Sequence, residues 1–131
     1  MVADPISDML TRIRNAQAVG HLTVETSYSK LNYAIAKLLE QEGWLGKVDT
    51  QGHKNGKIIE ITLKYGADKK PVITDLQRVS KPGRRMYIKK SEIKPIRQGY
   101  GMSVISTPDG LMTNKQALKA GLGGEIIFNI W

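Results

Sequence analysis

Apolar residues keep a helical period as far as Gly43 and mainly a strand period beyond it, a switch that restricts the chain to an α+β fold with its long helices first. Ile6, Met9, Leu10 and Ile13 stand at i, i+3, i+4 and i+7, one face of a helix. Asp4-Pro5 predicts its start, because Asp caps free amides and Pro loses nothing at the first helical position, and Gly20 supplies a left-handed stop. The short, β-branched stretch Leu22 to Tyr28 predicts a strand. A second helix is capped by Ser29, carries Leu31, Ala34, Ile35, Leu38 and Leu39 as its apolar stripe, and ends at Gly43.

Beyond Gly43, Ile59, Ile61, Leu63 and Tyr65 alternate with Glu60, Thr62 and Lys64, a strand buried on one face. Trp44 to Asp49 is its expected hairpin partner, with Asn55-Gly56 as the tight turn between them, and Pro71 to Val79 is a further strand. This predicts an N-terminal α-β-α-β-β-β unit over residues 1–80, closed by the Ser80-Lys81-Pro82-Gly83 turn. Residues 81–131 form the second domain, mostly β with one short helix. Met86–Ile88 and Met102–Thr107 read as strands, Thr113-Asn114-Lys115-Gln116 as a capping box, Gly121 as a helix stop, and Ile126 to Trp131 as a last strand.

With 131 residues the chain is too short for a large multidomain enzyme. The 20 Lys and Arg against 12 Asp and Glu give a net charge of +8, which favours a polyanionic partner. Charge is uneven: residues 1–80 hold 11 basic and 9 acidic side chains, whereas 81–131 hold 9 and 3, so the second domain is the expected anion binder. Cysteine is absent, which excludes disulfides and thiolate metal sites, and two histidines make a zinc centre a poor fit; no cofactor is expected. No apolar run approaches the roughly 20 residues of a membrane span, and the N-terminus lacks a leader pattern, so a soluble, untargeted protein is expected.

Lys81, Arg84, Arg85, Lys89, Lys90, Lys94 and Arg97 set seven cations against the single anion Glu92, with Tyr87 among them. Such a stretch attracts phosphates by counterion release while the ring stacks on a base or sugar. The bland alternative is a solvated face. Ser106-Thr107-Pro108-Asp109-Gly110 places two hydroxyls at a strand end beside a tight turn, able to bond base edges, riboses or phosphates, or else is an ordinary turn. A nucleophilic Ser106 would need a nearby base, and His21 and His53 lie far off in the first half. Gly121-Leu122-Gly123-Gly124-Glu125 lets another backbone approach closely. Glu125 could accept from a base amino group, hold a neighbouring cation, or form a plain surface salt bridge.

Taken together, Asp4-Pro5-Ile6-Ser7-Asp8-Met9-Leu10-Thr11-Arg12-Ile13-Arg14-Asn15, Ser29-Lys30-Leu31, Leu63-Lys64-Tyr65 and Arg78-Val79-Ser80-Lys81-Pro82-Gly83-Arg84-Arg85-Met86-Tyr87 carry a family resemblance. Gly99-Tyr100-Gly101, Val104-Ile105-Ser106-Thr107, Gly110-Leu111-Met112-Thr113 and Ala120-Gly121-Leu122-Gly123-Gly124-Glu125-Ile126 complete it, in order and over essentially the whole chain. The sequence resembles bacterial small-subunit ribosomal protein eight. The resemblance implies a two-domain, non-enzymatic protein that binds a helical stem in the central domain of small-subunit ribosomal RNA, helps assemble the platform and touches neighbouring ribosomal proteins. It also implies that the Ser106-Thr107 turn, with Pro108 and Gly110, is the main RNA contact, with Gly123, Gly124, Glu125 and the Tyr87 region around it. Arg84, Arg85 and Lys30 join these as candidate contacts. Members of the family often repress their own messenger RNA through a mimic of the ribosomal stem. Their turn usually carries a third small hydroxyl after Ser-Thr; here Pro108 stands in its place and Asp109 sets an anion beside it.

Overall fold

Asp4 accepts a hydrogen bond from the Ser7 amide and Pro5 takes the first helical position, so α1 runs Pro5–Ala18 and Gly20 follows with φ 76°. Residues 4–54 and 56–131 are described by a computed structural model. Strand β1 (Thr23–Ser27) leads into α2 (Lys30–Gln41), whose Ser29 cap accepts from the Asn32 amide. The buried stripe of α2 is rotated from the one expected: Ile35, Leu38 and Leu39 are buried as predicted, but Asn32 and Ala36 join them while Leu31 and Ala34 are exposed. The buried Asn32 donates its side-chain amide to the Pro5 carbonyl at 3.2 Å, tying the two helix starts together, while its Oδ1 has no partner among the described residues.

Strands β2 (Val48–His53) and β3 (Gly56–Thr62) form a hairpin, and β1 pairs with the other edge of β3, giving an antiparallel sheet of order β1-β3-β2. Helix α1 lies on β1 and α2 on β2. Ile59 and Ile61 of β3 are fully buried, as are Met9, Ile13, Ile35, Leu39 and Val48. The β2 strand starts later than the Trp44 expected, because Trp44 still bonds back to Leu39 as the chain leaves α2. Leu63 and Tyr65 lie past the end of β3, where the Tyr65 hydroxyl donates to the His21 carbonyl at 2.6 Å. Asn55 of the expected turn lies outside the described residues.

The second unit is a five-stranded antiparallel sheet. Strands β6 (Met102–Thr107) and β7 (Gly110–Thr113) form a hairpin, β8 (Gly124–Ile130) pairs with β6, and the far edge of β8 takes β4 (Leu76–Arg78) and β5 (Tyr87–Ile88). Strand β4 lies within the stretch assigned to the first domain, yet its partner is β8, Leu76 standing opposite Ile130. The compact units are accordingly residues 1–73 and 74–131, and the Lys81–Arg84 turn is a tight, doubly bonded connection inside the second rather than a boundary. Helix α3 (Asn114–Ala120) has the predicted Thr113/Gln116 capping box and ends at left-handed Gly121; its Ala117 packs on Ile93 and Ile105. The register of β6 with β8 shifts between Val104 and Ile105, leaving Ile127 as a bulge. The Ile127 carbonyl accepts from the Arg78 guanidinium at 2.6 Å and the Val79 amide at 3.1 Å. No described helix is long and apolar enough to cross a membrane.

Candidate nucleic-acid interface

In an antiparallel sheet, residues opposite one another share a face with their Cβ atoms about 4.5–5.5 Å apart. Tyr87 stands opposite Glu125, Glu125 opposite Ser106, and Ser106 opposite Leu111. Three residues picked out separately along the sequence therefore form one transverse row over β5, β8 and β6. Tyr87 is 72% exposed, and the Ser106 hydroxyl has no hydrogen-bond partner among the described residues.

The Glu125 carboxylate between them is fixed from one side. Its Oε2 accepts from the Ser80 hydroxyl and, at 3.1 Å, from the Arg85 guanidinium. Ser80 is itself fully buried and accepts from the Met86 amide at 3.1 Å, which ties the turn before β5 to the carboxylate. Among the residues of this network, Ser80 was read from sequence only as part of a turn, and its role was not visible there because its partner lies 45 positions away.

The turn after β6 is a two-residue loop, Pro108-Asp109, closed by Thr107 opposite Gly110. Thr107 is buried; its hydroxyl donates to the Gly110 carbonyl at 2.8 Å and accepts from the Asp109 amide at 3.2 Å. That hydroxyl shapes the turn from within, whereas Ser106 faces the row. Gly110 has φ 113°, a conformation that disfavours side chains. Gly123 and Gly124 do admit a close backbone approach, and the backbone is the protein's own. A Cβ on Gly123 would lie 2.3 Å from the Ile88 carbonyl oxygen, and one on Gly124 2.1 Å from that of Ser106.

Lys81, Arg84, Arg85, Lys89, Lys90, Lys94 and Arg97 are all exposed. Glu92, the anion among them, is exposed and caps its own segment, accepting from the Lys89 amide at 2.9 Å. Arg97 lies over the Trp131 ring at 4.2 Å, and Arg85 is engaged by Glu125, so Lys81, Arg84, Lys89, Lys90 and Lys94 are the cations here with no ion pair or ring contact among the described residues. Lys30 opens α2 in the first unit. Among the described residues no three His, Asp or Glu side chains gather as metal ligands.

A row with a stacking ring, an oriented acceptor and a free hydroxyl, on strands flanked by exposed cations, suits RNA better than a small-molecule reaction. Comparison with known proteins gives the chain a family. The family model described as Ribosomal protein S8 matches residues 4–131. The chain is 50% identical to the small ribosomal subunit protein uS8 of Caldanaerobacter subterraneus subsp. tengcongensis, covering 100% of this chain and 99% of that one. It is likewise 50% identical to uS8 of Syntrophomonas wolfei, with 100% and 99% covered, and 48% identical to that of Roseiflexus castenholzii, with 99% and 98% covered. With that match running from the α1 cap to the end of β8 and the last residue beyond it, the chain belongs to the ribosomal protein S8 family.

Proposed function

We propose that the protein is a structural constituent of the small ribosomal subunit that binds RNA through the β5–β8–β6 face of its second unit. Its target is a helical stem in the central domain of small-subunit ribosomal RNA, where binding helps assemble the platform beside neighbouring ribosomal proteins in the cytoplasm. A copy of that stem in its own messenger RNA would occupy the same face and let the protein repress its own synthesis. The carrying observation is the Tyr87–Glu125–Ser106 row, which offers a stacking surface, an acceptor and a donor within one nucleotide's reach. Arg84, Lys89 and Lys90 supply phosphate contacts, and Lys30 is a further contact from the first unit.

Catalysis is not part of this reading. An acyl-transfer role for Ser106 needs a base bonded to its hydroxyl, and the adjacent Glu125 turns Oε2 to Ser80 and Arg85 with no hydrogen bond to Ser106.

The test is binding of an irregular ribosomal stem and of a regular duplex across a salt series. Ser106→Ala is expected to weaken the irregular stem by about 1–3 kcal/mol without changing the salt slope. Arg84→Ala is expected to weaken both RNAs and to reduce the slope by about one unit. Wild-type binding by Ser106→Ala and Tyr87→Ala together would remove the row as the site.

A further inference from the structure

We infer that Ser80 is a positioning residue: with Arg85 it anchors one oxygen of Glu125, so that the other is presented as an acceptor to a hydrogen-bond donor on bound RNA. The proposal rests on the RNA reading above. Both observed bonds converge on Oε2, and Oε1 has no partner among the described residues. The Glu125 side chain keeps 19% of its surface exposed, whereas Ser80 is completely buried and cannot touch RNA itself. Ser80 is also held in place, since its oxygen accepts the Met86 amide while its proton goes to the carboxylate. A carboxylate anchored by two donors on one oxygen has few orientations left, which lowers the entropy lost when RNA binds. An ionised carboxylate only accepts, so its RNA partner is a donor, either a ribose 2′-hydroxyl or a base amino group.

Free and bound protein are compared in Ser80→Ala, Glu125→Gln and the double variant. In the free protein, Ser80→Ala is expected to move the carbon-13 resonance of the Glu125 carboxyl. On the irregular stem it should weaken binding roughly tenfold, while adding less than about twofold to Glu125→Gln. Ser80→Cys, of similar shape and with a weaker donor, should give an intermediate loss; it carries the test if Ser80→Ala does not fold. A stem with 2′-deoxy sugars distinguishes the donors: the Ser80→Ala penalty disappears there if the donor is the 2′-hydroxyl and persists if it is an amino group. An unmoved Glu125 resonance, or a Ser80→Ala loss that adds in full to that of Glu125→Gln, overturns the proposal. Wild-type binding by Glu125→Gln would instead overturn the RNA role of Glu125, leaving the resonance to decide whether Ser80 anchors it.

Discussion

Replacing Gly124 by Ala should force β8 away from β6 at the row. The added Cβ would stand 2.1 Å from the Ser106 carbonyl oxygen, 2.9 Å from its carbon and 3.1 Å from Thr107 Cα. All three are backbone atoms, so no side chain can swing aside. Non-bonded heavy atoms rest about 3.5 Å apart, so β6 and β8 must part locally by roughly 1.4 Å. A separation of that size takes the neighbouring ladder bonds past about 3.2 Å, losing about 1 kcal/mol for each, and the overpacking itself costs about 1–3 kcal/mol. The expected total is about 2–4 kcal/mol, a fall in Tm of about 10 °C or more for a unit of this size. Gly83→Ala is the control, since nothing lies within 4 Å of its Cβ position, and it should melt within about 2 °C of wild type. Calorimetry measures both, and hydrogen exchange at the Ser106 and Glu125 amides should speed up only in Gly124→Ala. A Gly124→Ala protein melting with the wild type would refute the close-approach account of this glycine.

Thr107→Val removes the bonds to Gly110 and Asp109, so it should lower stability by about 1–2 kcal/mol in urea melts and speed exchange at the Asp109 amide, with the RNA salt slope unchanged. Arg78→Met leaves the Ile127 carbonyl with the Val79 amide alone, which should cost about 1–3 kcal/mol in the same melts. The carboxyl of Glu40 is held below its ordinary range first by the Val48 amide at 2.9 Å and then by Lys37 at 3.1 Å. A lowered folded pKa contributes stability above the unfolded value near about 4.3 and loses it as pH falls through the folded value. Glu40→Gln should therefore be less stable than wild type at pH 7, by less than about 1 kcal/mol for so exposed a pair, and the gap should close in acid melts toward about pH 3. A gap that widens in acid would contradict the assignment.

Local chemistry made the helices legible. Asp4-Pro5, Ser29 and the Thr113–Gln116 box each cap a helix as expected, since a cap involves only residues three apart. Strand partners were harder to read. The stretch holding β4 was assigned to the nearest sheet, but Leu76 and Arg78 pair with Ile130 and Phe128, and no local pattern carries that information. Strand β7 was not anticipated because Gly110-Leu111-Met112-Thr113 sets its two apolar residues side by side, with no alternation to mark a face. The site divides in the same way. Tyr87, Glu125 and Ser106 each drew attention by residue type, whereas their alignment in one row depends on the register of three strands. Thr107 and the two glycines also drew attention, and the structure gives them internal work. The run Ile126-Ile127-Phe128 held an unused signal, since Ile127 and Phe128 are both buried and successive buried residues break strict alternation.

That extra residue acts as a phase shifter for the strand that bears it. Side chains on a strand change sides at each step, and one unpaired residue inverts the parity of everything beyond it. Val104 faces Phe128, and without Ile127 in excess the count would bring Ile126 opposite Ser106 and move Glu125 to Thr107. The carboxylate would then emerge on the opposite surface, away from Tyr87, with an isoleucine in its former place. Keeping the row thus takes either the bulge or one residue fewer: a deletion at 127 would leave Ile126 opposite Ile105 and Glu125 opposite Ser106 in an unbroken ladder, whereas the same length of chain drawn into regular pairing would exchange the two surfaces of the strand's N-terminal end.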